Sequence, residues 1–528
     1  MSTALAHAGA IDSLTAEQRI AAATTTATVF IEAGPGTGKT TVSAHRYGVQ
    51  RFTPEYRHEP GAVVAVSFTR AATYNLRRRV QRLWGPSALA WPNRIVTLDT
   101  IMCDLLHDLL RAGLLRWPNQ GRLWPGGQVA LDVHDSWASF SGSVWNRTFY
   151  AVRVAAGEVL VQQGFKAKSS SSIPATEIVP RLLQGTCTHQ DVRDVLEQAL
   201  SDPACAAHVQ RRLATTMRAL IVDEVFDAND LDIMIIEAAI HAGVAVTLVG
   251  DPWQALYVFR GARPEVVPEM LRRTGVGTLP LTQSFRWRED AQQQLALDLR
   301  ACRAVELPTV NLANGMAGLD VVLSLWWRPL WELGPGVLPL AFHSFKGGYE
   351  EAVATLLLNH FTRVIFDLDA TYLNDALTAL AIQDRDVPRR LEPHLQRVAE
   401  TLKTGGRPSV NKAYEELVAV MRTVSPRELR PAHPAHTKRL AHLQERLTYP
   451  GRPVPGLTTH QAKGGEWERV GVRLTDAERT ALAGGLSVHE DTHRKLYVAC
   501  TRAHRQTLEV AVPEKSAATT RRSRRPRA

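Results

Sequence analysis

Three apolar runs rich in β-branched residues punctuate the first half of the chain: ATVFIEA at 27–33, ALIVDEV at 219–225 and VAVTLVGD at 244–251. Each is short and ends in glycine or acidic residues, the pattern of a buried strand that stops at a loop. The first run enters a glycine-rich turn and then a helical pattern from about residue 39. Elsewhere the apolar spacing changes to threes and fours, as in THQDVRDVLEQALSD at 188–202 and RLEPHLQRVAETLKT at 390–404, which predicts amphipathic helices. Pro and Gly clusters at 117–127, 405–408 and 449–456 read as linkers, and KSSSSIP at 168–174 as a short polar loop. No apolar run of about eighteen residues occurs, so no membrane span is predicted.

The turn after the first run carries the chemistry. Ala33, Gly34, Pro35, Gly36, Thr37, Gly38, Lys39, Thr40 and Thr41 follow the P-loop pattern, with Ala at its first position. Glycines let successive N–H groups curl round phosphate oxygens, Lys39 reaches the outer phosphates, Thr40 holds Mg²⁺, and the helix N-terminus adds its positive end. A nucleotide, ATP, is the expected ligand. The second run delivers Asp223 and Glu224 at its carboxyl end, where open α/β sheets place ligands. There Asp223 would complete the metal shell and Glu224 would orient and deprotonate the attacking water. An acidic pair of this kind is, by itself, more often an ordinary surface loop.

Further segments raise the specificity. Leu14-Thr15-x-x-Gln18, VSFTRAAT at 66–73, VTLDT at 96–100, Asp223-Glu224-x-x-Asp227, GDPWQALYVFRGA at 250–262, LTQSFR at 281–286, THQAKGGE at 459–466 and RKLYVACTRA at 494–503 run in the order of the motifs of UvrD/Rep-type superfamily 1 helicases. The chain resembles that family from Leu14 to Ala503. The resemblance implies an α/β protein of two RecA-like P-loop lobes, parallel sheets flanked by helices, with helical insertions. It implies lobe 1A at 1–103 and 206–280, insertion 1B at 104–205, lobe 2A at 281–364 and 453–512, a reduced insertion 2B at 365–452, and a disordered basic tail at 513–528.

It also implies roles. Gln18 would read the adenine edge, Phe285 would stack on the base where the family usually has Tyr, and Glu466 would take the ribose. Gln254 would sense the γ-phosphate. Arg286 and Arg502, both expected from the second lobe, would act as arginine fingers, each of a kind worth about 10³–10⁵ in rate. Single-stranded DNA would stack on Phe68, Tyr257 and Phe259, with Arg70, Arg260 and His460 touching backbone or bases. Three departures stand out: Phe226 replaces a coupling Gln, Gly465 replaces an aliphatic residue, and Asp99 replaces a His beside the expected phosphate backbone, where an acid would repel it. The segment HSFKGGYEE at 343–351 echoes motif V out of order and reads as a loop into a helix.

With 528 residues, 45% hydrophobic and 22% charged, the chain can bury several cores. Its net charge is +10, and the last eight residues, RRSRRPRA, hold five arginines. Such a tail reads as disordered, with phosphate or partner contact as the next reading. Five scattered cysteines without a CxxC support neither a disulfide framework nor a metal centre, and the N-terminus lacks a signal peptide, so a cytosolic protein is expected. The expected function is an ATP-dependent helicase or translocase moving 3′ to 5′ on single-stranded or tailed duplex DNA, with a nuclease or repair factor as a partner the family allows. A nucleic-acid-responsive ATPase switch and an RNA-unwinding enzyme stay open beside it.

Overall fold

The structure, a computed structural model, describes residues 13–53, 60–118, 122–123, 129–134, 149–164, 175–311, 318–382, 384 and 386–511. The basic tail and the 168–174 loop lie outside the described residues. Two compact units divide the chain, one of residues 1–288 with 487–495 and the other of 289–486 with 496–528.

The first unit is built on a six-stranded parallel sheet. Its strands are β1 (Val29–Ala33), β2 (Ala62–Ser67), β3 (Arg94–Thr97), β4 (Met217–Asp223), β5 (Ala245–Gly250) and β6 (Gly277–Leu281), in the spatial order β6-β1-β5-β4-β2-β3. The three apolar runs are β1, β5 and β4, the central neighbours. Burial on both faces is why they read as continuous rather than alternating hydrophobic stretches. Helix α1 (Ala16–Ala23) and the long helix α2 (Lys39–Phe52) are pinned together by Arg46, which is 1% exposed and donates to the carbonyls of Ala21 and Thr24 and to the Thr247 hydroxyl on β5. Helix α3 (Arg70–Trp84) packs on α2 at Gly48, where a Cβ would lie 1.8 Å from the Trp84 ring. That ring is stacked on Phe52, and its N–H donates to the Ala44 carbonyl at 3.0 Å. A glycine in mid-helix costs helix propensity, and here it makes room for an indole.

The segment expected as a helical insertion at 104–205 is mixed. Helices α4 (Leu98–Arg111), α5 (His189–Ala199) and α6 (Pro203–Thr216) are present, and α5 begins at a Thr188–Asp191 capping box, as its 188–202 periodicity predicts. A β-hairpin, Phe149–Ala155 paired antiparallel with Glu158–Gly164, accompanies them. Its turn is Ala156-Gly157, both at positive φ (49° and 77°), which matches the right-handed twist of the two strands. The insertion's apolar residues share one core with the sheet: Leu105, Leu109, Val152, Val159, Val195 and Leu196 pack in the same cluster as Val64, Leu220 and Leu248.

The second unit has its own six-stranded parallel sheet of β7 (Thr309–Asn311), β8 (Val321–Ser324), β9 (Val337–Pro339), β10 (Val454–Thr458), β11 (Trp467–Val472) and β12 (Ala503–Ala511), ordered β7-β12-β11-β8-β10-β9. Residues 343–348 form the loop into helix α7 (Tyr349–Phe366). Between β9 and β10 stand α7, α8 (Val387–Lys403), α9 (Gly406–Met421) and α10 (Pro434–Leu447), which join in one apolar core with Trp331 and Leu338. The two parallel sheets flanked by helices are the α/β, RecA-like class read from the sequence. One boundary shifts: residues 281–288 belong to the first unit, because β6 pairs with β1 from Val29↔Gly277 to Ala33↔Leu281 and carries the following loop with it.

Candidate nucleotide site and nucleic-acid surface

In the first unit β1 runs into the loop Gly34–Gly38, and α2 opens at Lys39. Gly36 and Gly38 adopt left-handed φ of 73° and 86°, which only glycine tolerates cheaply. Space is equally short: a Cβ at Gly36 would lie 2.5 Å from Arg286 Cβ, and one at Gly38 would lie 2.7 Å from the Gln18 side-chain nitrogen. The loop is held from both sides. Thr37 donates its hydroxyl to the Gly34 carbonyl (2.9 Å), Ser284 donates to the Pro35 carbonyl (2.8 Å), and the Phe285 N–H donates to the Gly36 carbonyl (2.9 Å). Gln18 accepts from the Thr15 N–H and donates to the Thr37 carbonyl at 2.9 Å, so its amide braces the loop. Arg79 on α3 donates to the Thr41 hydroxyl, and Thr40 is half-buried.

Lys39 reaches back to the Ala33 carbonyl (3.2 Å) and lies 3.9 Å from a carboxylate oxygen of Glu224. Burial pushes its ammonium pKa down; Glu224, Asp251 and Asp223 oppose that shift, and Arg286 adds to it. A buried cation among three carboxylates, on a loop with no room for side chains, is suited to binding a polyanion with its counter-ion. Asp223 ends β4 with 4% exposure, and Glu224 follows in the left-handed region at φ 63°, a conformation that costs a non-glycine residue about 1–3 kcal/mol. That turn directs its carboxylate toward Lys39. Beyond β5, Asp251 accepts from the Trp253 N–H (3.2 Å) and from the Gln254 amide (2.8 Å), which fixes Gln254 in a buried position. Asp227 accepts from the Leu256 N–H (3.3 Å), and Arg494 donates to the Ala255 carbonyl (2.9 Å). The loop after β5 is therefore tied to the loop after β4 and to residues 487–495.

Arg286 and Phe285 belong to the first unit, not to the second as their motif order implied. The cause is the pairing of β6 with β1, which sets Arg286 against Gly36. Phe285 is 56% exposed beside the cradle. Arg502 lies in the second unit, 1% exposed, donating to the Val498 carbonyl at 3.1 Å. Glu466 of that unit pairs with His504 at 3.0 Å. Gly465 stands where a Cβ would meet the Trp467 ring at 2.5 Å, which accounts for the missing aliphatic side chain.

Among the expected nucleic-acid residues, Tyr257, Phe259 and Arg260 form a cluster. The two rings lie 6.0 Å apart, and the Arg260 guanidinium sits 5.2 and 5.5 Å from their centroids. Phe259 is 65% exposed. Phe68 is half-buried and packs against the core; Arg70 is exposed, and His460 in the second unit is half-buried. Asp99 is drawn inward: Arg193 on α5 bridges it (2.8 Å) to the buried Asp232 (3.2 Å) at the start of helix Asp230–His241. Phe226 is buried edge-on against Phe30, 5.9 Å between centroids, and its ring leaves no space for a Cβ on Gly250. Sequence reading passed over Asp251, Ser284 and Arg494, although each lies inside a quoted motif; their part is to hold loops, and only tertiary neighbours reveal it.

A family model described as an AAA domain matches residues 17–260. The DNA helicase II of Salmonella typhimurium is 24% identical over 295 residues, covering 52% of this chain and 39% of the relative. The ATP-dependent DNA helicase SRS2 of Saccharomyces cerevisiae is 24% identical over 291 residues, covering 48% of this chain and 24% of the relative. The chain thus spans well under half the length of these relatives. Among solved structures, an Arterivirus nonstructural protein 10 helicase with DNA aligns over 95% of this chain and 63% of its own at 12% identity, with a TM-score of 0.30. In the order of its motifs the chain resembles the UvrD/Rep-type superfamily 1 helicases, and its likeness to DNA helicase II and SRS2 spans about half of its length.

Proposed function

We propose that the protein is an ATP-hydrolysing motor that moves on single-stranded DNA, 3′ to 5′, and opens tailed duplexes. The observation that carries this reading is the loop after β5. Gln254 is fixed to Asp251, whose charge is felt at Lys39, and three to five residues further on the half-buried Tyr257 and the exposed Phe259 offer ring surface with Arg260 beside both. A nucleotide sensor and a base platform on one short segment are the parts needed to connect hydrolysis with grip on a strand.

The first unit's residues suit ATP with Mg²⁺. Thr40 and Asp223 would hold the ion, and phosphate oxygens and water would complete its shell. Bound there, Mg²⁺ neutralises charge on the phosphates. Lys39 binds the outer phosphates, Glu224 orients water and takes its proton, and Arg286 adds positive charge at the cradle. We propose Arg502 as the finger supplied by the second unit, so that domain closure on DNA completes the catalytic set. Stacking is sequence-tolerant and suits movement along any strand. The five cysteines are all free, which suits the reducing cytosol we propose for the protein; no helix among the described residues is long and apolar enough to cross a membrane.

The test is strand displacement on 3′-tailed, 5′-tailed and blunt duplexes, with ATPase measured alongside. Displacement of the 3′-tailed substrate alone supports the motor. The apolar burial of Phe226, where a coupling amide is usual in the family, favours a second reading: an ATPase switch that responds to nucleic acid. DNA-stimulated turnover without displacement or translocation supports the switch, and equal stimulation by RNA favours an RNA substrate.

A further inference from the structure

The second unit carries an exposed aromatic that none of the family motifs quoted above includes. Strand β8 ends at Ser324, and the next three residues alternate sharply: Leu325 is 2% exposed, Trp326 60% and Trp327 6%. Trp326 is the exposed aromatic of this unit among its described residues. Its backbone is extended, and it starts the short helix Trp327–Glu332, whose buried Trp327, Leu330 and Trp331 anchor the turn beneath it. An indole left largely in water on so firm a base forfeits burial that its two neighbours obtain, which fits a surface meant to be covered by a ligand.

Sheet register says where that surface lies. Strands β8 and β10 are parallel neighbours with Ser324 opposite Thr458. Two residues beyond each of these partners stand Trp326 and His460, so both leave the sheet at the same carboxyl edge, where parallel α/β sheets place their ligands. The Thr459 hydroxyl donates to the Ser324 carbonyl at 3.5 Å, tying the two exits together. An aromatic face beside a histidine and the neighbouring Lys463 has the chemistry of a single-strand contact: a π-face for a base and donors for the backbone.

We infer that Trp326 is a base-stacking platform for single-stranded DNA on the second unit, working beside His460. This rests on the reading that the protein grips single strands. The test is fluorescence anisotropy of labelled oligo(dT) with the full chain at several salt concentrations, comparing the parent with Trp326→Ala and Trp326→Phe. Loss of one stacked base weakens binding by about 5- to 150-fold. Trp326→Ala should show such a loss with an unchanged salt slope and an unchanged unfolding midpoint, while Trp326→Phe keeps most of the affinity. Parent-like binding by Trp326→Ala overturns this inference and leaves the motor reading standing, as does a Trp326→Phe variant as weak as the alanine. Failure of the parent to bind oligo(dT) overturns both.

Discussion

At the scale of single residues, the roles proposed for the cradle separate binding from chemistry. Lys39 is the buried cation among three carboxylates, while Glu224 faces it from a left-handed backbone position. Lys39→Ala should abolish ATP binding measured by fluorescent-nucleotide titration, whereas Glu224→Gln should bind ATP with near-parental affinity and turn over at least 100-fold more slowly. Normal turnover by Glu224→Gln would remove it as the base. On the other surface, Phe259→Ala deletes an exposed ring and should cost about 1–3 kcal/mol in oligonucleotide binding without altering its salt dependence. Asp232 supports a pH prediction. Burial drives its carboxyl up to about 6 even though Arg193 favours the charged form. A raised acid pKa means that stability is fully present while the group is protonated and is lost as pH rises through the folded value. The melting temperature of the parent relative to Asp232→Asn should therefore fall between pH about 4 and 6, by roughly 2–3 kcal/mol in stability at most. A difference that stays flat across that window would show that the pair holds Asp232 ionised throughout.

At the scale of elements, packing decides what local propensity leaves open. Gly48→Ala puts a methyl into the Trp84 ring and should destabilise the first unit by about 1–3 kcal/mol, although alanine is the better helix former; a chemical-denaturation midpoint equal to the parent's would refute the packing account. The same contest sets the limits of what the sequence told. Strands β1, β4 and β5 and the loops at their carboxyl ends were legible because buried parallel strands write themselves as apolar runs that stop at glycine or acidic residues. The helices at 189–199 and 387–403 were legible from spacing. The hairpin at 149–164 was missed although Val152, Val154, Val159 and Val161 flank Ala156-Gly157 at alternate positions, because its signal is seven residues a side inside a region otherwise helical. Placement of Arg286 depended on β6 joining β1, a pairing between residues about 250 apart that no local pattern announces. Asp99 likewise looked like a misplaced charge until its partner, 94 positions away, came into view.

At the scale of the whole molecule, the proposed motor would need both units, each with its own parallel sheet, to complete turnover. ATPase activity should be weak alone and rise at least tenfold on adding single-stranded DNA, and Arg502→Ala should abolish the rise while leaving ATP binding intact. Equal rates with and without DNA would sink the motor. Helix α5 adds a lesson for shortening this chain. Its Arg193 holds Asp99 on α4 and Asp232 on the helix after β4, so the region that interrupts the first sheet in sequence also neutralises two acids next to that sheet in space. A cut that removed 189–199 would strand the buried Asp232 carboxylate, at a cost of several kcal/mol, on top of the core residues Val152 and Val159 that any cut through 149–164 takes away. The insertion thus serves the lobe it interrupts twice, by apolar packing and by charge.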